Sequence, residues 1–219
     1  MSYVVALIVI VLSFMGRPGH AGPWLRAPGS QFLSLSVEWG QEDTRPSAYG
    51  SIYYEYGLRP NLTLGLDAGR DSWGQSTALA FARIPLMVHD SGSRMAAEMA
   101  MGSYGNGSDT EFAIRPGLSW GRPLHFGQGG WLSLTATYDY VPKTKQALAK
   151  VEGTLGLNRG EQMKLLLQVT AEKPKKQDDL FTATPGVAWR IGQTSHLLGG
   201  VILRSDGSTA LKLGLWREF

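Results

Sequence analysis

The sequence predicts an all-β protein, an antiparallel up-and-down transmembrane β-barrel of about 12 strands, on three observations. Segments of about ten residues recur along the chain with a two-residue hydrophobic period. Asp, Glu, Lys and Arg collect on one parity of these segments and leave the other almost free of charge. Trp and Tyr on the apolar parity sit near segment ends, where a membrane-spanning sheet meets its two interfaces. A soluble antiparallel sandwich would share the alternation, so the placement of the aromatics separates the two folds.

The chain of 219 residues opens on an apolar run, Val4 to Phe14, broken by Gly16 and Pro18 and followed by Gly19-His20-Ala21. That order reads as a secretory signal peptide over residues 1–21, cut after Ala21, with the barrel over 22–219. A helix crossing hydrocarbon needs about 20 apolar residues, which the run does not supply. Loss of Arg17 takes the formal charge from +3 to +2, and no basic stripe with interleaved aromatics points to nucleic acid. The chain has no cysteine, which excludes a disulfide framework and a thiolate metal site. Mean hydropathy is slightly negative. Alternating faces cancel in any window average, so this leaves the barrel standing.

The first segment sets Leu33, Leu35, Val37 and Trp39 against Ser34, Ser36 and Glu38. The second sets Ile52, Tyr54 and Tyr56 against Ser51, Tyr53 and Glu55, and the third Leu62, Leu64, Leu66 and Ala68 against Thr63, Gly65 and Asp67. The fourth, Thr77 to Ile84, is apolar on both parities. The fifth opposes Met95, Ala97, Met99 and Met101 to Arg94, Glu98 and Gly102. The sixth opposes Phe112, Ile114, Leu118 and Trp120 to Glu111, Ala113, Arg115 and Ser119. In the seventh, Leu132, Leu134, Ala136, Tyr138 and Tyr140 face away from Ser133, Thr135, Thr137 and Asp139. The eighth and ninth set Val151, Leu155 and Leu157 against Lys150, Glu152 and Thr154, then Leu165, Leu167 and Val169 against Lys164, Gln168 and Thr170. Both have helix-forming composition, but at helical spacing Ala147, Lys150, Val151 and Thr154 would share a face, which is no apolar stripe. The tenth opposes Phe181, Ala183, Val187 and Trp189 to Thr182, Thr184 and Arg190. The eleventh, His196 to Arg204, is mostly apolar throughout, and the last alternates Leu211, Leu213 and Leu215 with Lys212 and Gly214.

Turn residues join the segments at Arg59-Pro60-Asn61, Asp71 to Gly74, Gly105-Asn106-Gly107, Asn158 to Gly160 and Asp206-Gly207. With both chain ends on the periplasmic side, the outer connections are Gln41 to Ser47, the Asp71 turn, the Gly105 loop, Pro142 to Thr144, Lys173 to Asp179 and Ser205 to Ser208. Pro116 and Pro185 break the pattern inside two segments, each within Pro-Gly-apolar-small-Trp, and predict a shared bulge or bend.

Leu33-Ser34-Leu35-Ser36-Val37-Glu38-Trp39 and Tyr54 to Gly65 resemble strands of bacterial outer-membrane β-barrel proteins, porin-like and transporter-like members included. The final segment ending at Phe219 looks like the signal that barrel-assembly machinery recognises. It departs at Arg217, where an apolar residue is usual, and at Trp216, which is out of phase. The resemblance implies fold and outer-membrane location, not a substrate. As partners it implies outer-membrane lipids and lipopolysaccharide, and the assembly machinery.

On the charged parity, Glu111, Arg115, Lys150, Glu152, Lys164 and Arg190 are the expected lining of the lumen, with Glu111 beside Arg115 and Lys150 beside Glu152 as pairs. Trp39, Tyr56, Trp120, Tyr138, Tyr140 and Trp189 are the expected aromatic girdle. No spacing of His, Asp or Glu suggests a metal, and no cofactor is expected. His89-Asp90-Ser91 places a base two residues from a hydroxyl, on one face of an extended chain, but a turn at Gly92 explains it without catalysis. The leading functional expectation is a small channel for polar solutes. The alternatives are a closed structural or adhesion barrel, with Leu148, Leu166 and Trp131 as bulky filling, and a lipid-acting enzyme through His89 and Ser91.

Overall fold

The computed structural model describes residues 22–42, 45–107, 109–175 and 178–219, so the expected signal segment lies outside the described residues. Twelve strands follow in chain order: β1 Gln31–Glu42, β2 Arg45–Arg59, β3 Leu62–Asp71, β4 Gln75–Val88, β5 Arg94–Asn106 and β6 Asp109–Leu124, then β7 Gly130–Val141, β8 Gln146–Arg159, β9 Met163–Pro174, β10 Leu180–Arg190, β11 Ser195–Arg204 and β12 Thr209–Glu218. Each pairs antiparallel with its sequence neighbours, and β12 returns to β1 from Phe32 opposite Glu218 to Gly40 opposite Ala210. The sheet is therefore a closed ring. Ten residues rising about 3.3 Å each and tilted by about 40° span roughly 25 Å, the height of the apolar band in outer-membrane barrels.

Both ends of the barrel chain lie at one rim, here the terminal rim, together with the turns after β2, β4, β6, β8 and β10. The other connections form the loop rim. They are shorter than the sequence suggested: Gln41 and Ser47 belong to β1 and β2, and β9 runs on to Pro174 before the segment that leads into β10. Antiparallel pairing continues into these hairpins, with Pro46 opposite Gln41 kept in the β1–β2 register.

The register turns one parity outward on every strand. Val37 and Trp39 of β1, Leu64 and Leu66 of β3, Met99 and Met101 of β5, and Leu211 and Leu213 of β12 are exposed although apolar. A sandwich would bury these side chains against a second sheet, so that fold is excluded. The two segments without a clear period resolve once the inner face is seen: β4 turns Leu79 and Phe81 inward and Ile84 outward, and β11 turns Ile202 inward and Leu197, Val201 and Leu203 outward.

Of the expected bulge or bend at Pro116 and Pro185, the bulge does not form. Ile114 opposite Tyr140 and Gly117 opposite Thr137 keep one register, and Arg115 and Pro116 between them do not pair with β7. Ala183 opposite Leu203 and Gly186 opposite Gly200 do the same around Pro185. The ladder skips the position where proline has no N–H to give, and the strand continues in phase. Register shifts occur elsewhere, between Gly57 and Arg59 and between Pro85 and Met87.

An arginine at an outward position at mid-height faces hydrocarbon. Leu66→Arg is expected to destabilise the vesicle-inserted barrel by about 2–4 kcal/mol, while Gln168→Arg on the inner face is close to neutral. Denaturant titration of both proteins in lipid vesicles checks the contrast.

Candidate functional site

Twelve strands enclose a bore wider than side chains of an eight-stranded barrel would fill. This chain fills it unevenly. Along the arc from β2 to β7 inward apolar side chains are buried: Leu79, Phe81, Ala100, Ala113 and Val141 form one cluster, with the rings of Tyr53 and Tyr104 packed on it. Tyr53 stacks on Phe81 with ring centres 5.5 Å apart. These strands carry a core on the concave side of the sheet, as a soluble domain would.

Charge is woven into that core. Glu55 on β2 is fully buried and binds two guanidinium groups: Arg83 Nη1 on β4 donates to Oε1 at 2.5 Å, and Arg26 Nε donates to Oε2 at 2.5 Å. Arg83 also donates to Glu98 Oε2 on β5 at 2.7 Å and to the Tyr53 hydroxyl at 2.7 Å. Nearer the loop rim, Arg115 on β6 donates to Asp67 Oδ2 on β3 at 2.5 Å, and the Tyr104 hydroxyl donates to Asp139 on β7. A buried carboxylate between two cations meets the desolvation cost that either charge alone would suffer.

Arg26 belongs to a strap that no periodicity announces. Residues 22–30 precede β1 and lie inside the terminal rim. Pro23 is fully buried, and the Arg26 backbone N–H donates to Thr63 Oγ1 at 2.9 Å. The Arg26 guanidinium lies 4.4 Å from the Phe32 ring centre. Two wall glycines make room: a Cβ on Gly121 would sit 2.5 Å from the Trp24 ring, and one on Gly57 would overlap the Ala27 carbonyl. The strap thus crosses from β6 and β7 to β2 and β3, flooring the filled half of the bore.

The arc from β8 through β12 to β1 is different. Its inward positions are mostly small or polar and only partly buried, among them Thr154, Gln168, Thr182, Thr184, Gly200 and Gly214. Charges stand along it in pairs: Lys150 Nζ lies 3.6 Å from Glu152 and 3.7 Å from Glu172, and Lys212 Nζ donates to Glu38 Oε1 at 3.0 Å. At the loop rim this arc opens into a recess of about 460 Å³ lined by Glu172, Asp178, Asp179, Leu180, Ser205 and Asp206. In the turn there, the Ser208 backbone N–H donates to Asp206 at 2.8 Å and lowers its pKa.

The register sets Glu111, Arg115, Lys150, Glu152 and Lys164 inward. Lys150 and Glu152 pair as the sequence suggested, but Glu111 and Arg115 do not. Glu111 does not bind Arg115; it lies 3.5 Å from Lys143 Nζ and accepts from Thr144 Oγ1 at 3.1 Å. Lys164 donates to Asn158 Oδ1 at 3.1 Å, with Nζ 5.8 Å from the Trp131 ring centre. Arg190 is exposed at the terminal rim and donates to the carbonyls of Gly192 at 3.0 Å and Gln193 at 3.1 Å. Trp39, Tyr138 and Tyr140 stand on outward positions toward the loop rim, and Tyr56, Trp120 and Trp189 toward the terminal rim. Sequence reasoning missed Arg26, Glu55, Asp67, Arg83, Glu98 and Asp139 as a network. The inward parity of Glu55, Asp67, Glu98 and Asp139 was visible, but that of Arg26 and Arg83 was not, and neither were the partners.

Trp216 is out of phase because it turns inward, 6.4 Å from the Phe32 ring centre. Arg217 turns outward over the Phe219 ring at 4.7 Å. His89 Nδ1 does lie 2.9 Å from Ser91 Oγ, but in an exposed turn where the Ser91 backbone N–H also donates to that nitrogen. The contact closes the turn. Among the described residues no group of His, Asp and Glu is arranged to hold a metal ion.

No family model and no curated protein matches the sequence. Solved structures do. The KdgM porin is 10% identical with a TM-score of 0.64, covering 85% of this chain and 99% of its own. The NanC porin is 7% identical with a TM-score of 0.64, covering 84% and 98%. The COG4313 outer membrane channel from Pseudomonas putida F1 is 9% identical with a TM-score of 0.57, covering 93% and 100%. At these identities the likeness is one of fold.

Removing the Glu55 charge leaves Arg26 and Arg83 facing each other without their shared anion. Glu55→Gln is expected to cost about 3–5 kcal/mol of stability and to release the strap. Trypsin cleavage after Arg26, slow in the parent protein, should then become fast.

Proposed function

We propose that the chain is an outer-membrane channel for small polar solutes, with the β8–β12 and β1 arc as its conducting wall. One observation carries the reading: inward side chains on this arc are mostly small, polar or charged and only partly buried, with buried apolar groups such as Phe32, Ala188 and Ile202 fewer than on the facing arc. A barrel needed only as a scaffold gains nothing from polar, partly solvated inward positions along one arc. Lys150, Glu152 and Lys164 would line the path, with Arg190 at its terminal mouth and Glu111 and Arg115 on the facing wall. Alternating acids and bases favour polar solutes of either charge over a strongly selective filter.

The outer face supports the location. It is apolar over the height of the strands, and Trp39, Tyr56, Trp120, Tyr138, Tyr140 and Trp189 fit two interfacial girdles. The terminal rim would face the periplasm, since it holds both ends of the barrel chain. Phe219, whose backbone N–H donates to the Gln31 carbonyl at 3.1 Å, fits an assembly signal at the β1–β12 seam. A segment ending near Ala21 would be removed on export. Lys173 at the loop rim would meet lipopolysaccharide.

A closed structural barrel is the second reading, favoured by the strap and the filled half. Conductance separates the two. The purified protein is expected to give discrete current steps in planar bilayers. Thr184→Trp, inward on the open arc, should reduce the unit current by roughly half or more, whereas Val187→Trp on the outer face leaves it unchanged. A silent parent protein removes the channel.

A further inference from the structure

The outer face carries charge of one sign only. Among the described strand residues no Asp or Glu occupies an outward position, whereas six cations do. Four of the six are arginines at the terminal rim: Arg59 ends β2, Arg122 lies two residues before the end of β6, Arg159 ends β8, and Arg217 stands next to last in β12. Direct pairing fixes their direction. Arg59 is opposite Leu62, Arg122 opposite Leu132, Arg159 opposite Met163 and Arg217 opposite Leu33, each partner on the apolar outer parity. All four are exposed, and none is in an ion pair among the described residues. The loop rim has two outward cations, Arg70 and Lys173, and Lys173 lies 3.8 Å from Asp179.

We infer that these four arginines form a belt that binds the phosphates of anionic glycerophospholipids in the leaflet at the terminal rim. This rests on the membrane-barrel reading above. Each side chain starts at the edge of the apolar band, where its stem covers hydrocarbon while the guanidinium reaches the headgroups. A guanidinium donates two parallel hydrogen bonds to a phosphate, which a water-exposed position does not require and a headgroup region supplies. The absence of outward carboxylates leaves that charge to be neutralised by the bilayer. The belt occupies four of the six strands running toward this rim, so it would contact lipid around much of the circumference rather than at one pocket. Arg190, on the same rim but at an inward position, is engaged by its own turn and is no part of it.

The test uses the full mature chain inserted into vesicles of phosphatidylcholine alone or of phosphatidylcholine mixed with phosphatidylglycerol. The temperature at which heating converts the compact gel band to the extended one is read in both. The parent protein should convert at a higher temperature in the mixed vesicles, and added salt should shrink the difference. The variant R59Q/R122Q/R159Q/R217Q should lose that upward shift, while R70Q/K173Q at the other rim retains it. Should the fourfold variant not insert, R59Q/R122Q and R159Q/R217Q are each expected to lose part of it. An upward shift as large in these variants as in the parent, or one lost equally from R70Q/K173Q, overturns the belt. A parent protein that inserts into neither vesicle overturns the membrane reading itself.

Discussion

In hydrocarbon a backbone N–H or C=O without a partner has no water to turn to, and each costs several kcal/mol. Pairing β12 with β1 answers that constraint for the whole molecule, because a sheet closed on itself has no edge. Much else follows from the ring. Once strands surround a bore, every second residue must face lipid, and charge is confined to the inner parity or to the rims. Even the two internal prolines obey it: they sit where one ladder hydrogen bond is omitted and the register stays in step.

The ring also creates the bore, and its size decides what the inner face must do. The chain divides the space rather than filling it uniformly. On one side aromatic and aliphatic groups enclose the Glu55 and Arg83 network, and the strap seals that side at the terminal rim. On the other, small residues and surface-like ion pairs keep the wall wet. Rigid packing and solvent access, which compete in most small domains, are placed side by side within one sheet.

The fold was legible in the sequence because a strand's period is local: Leu33 to Trp39 shows its two faces without reference to any other segment. Legibility failed where the inner face is itself apolar. β4 turns Leu79 and Phe81 inward and β11 turns Ile202 inward, so both parities look greasy and only the filling of the bore tells them apart. Ion partners were illegible for another reason. Arg115 chooses Asp67, 48 positions away and three strands along, over Glu111 on its own strand, since residues four apart in a strand lie more than 10 Å from one another. The strap left no trace because nine residues containing two prolines and two glycines have no period to read. Trp216 and Arg217, by contrast, looked like flaws in a terminal pattern and prove to be an inward ring and an outward cation.

The uneven interior has a bearing on how the molecule comes together. The residues that pack on one another inside the bore, from the strap through β7, form an unbroken first part of the chain, so a curved half-shell can hold its shape before the remainder is in place. The strands from β8 onward bury fewer and smaller inward side chains and can take their curvature from that template, one hairpin at a time. The last edge to be satisfied is then the one at Gln31 to Glu42, kept open until the final strand arrives.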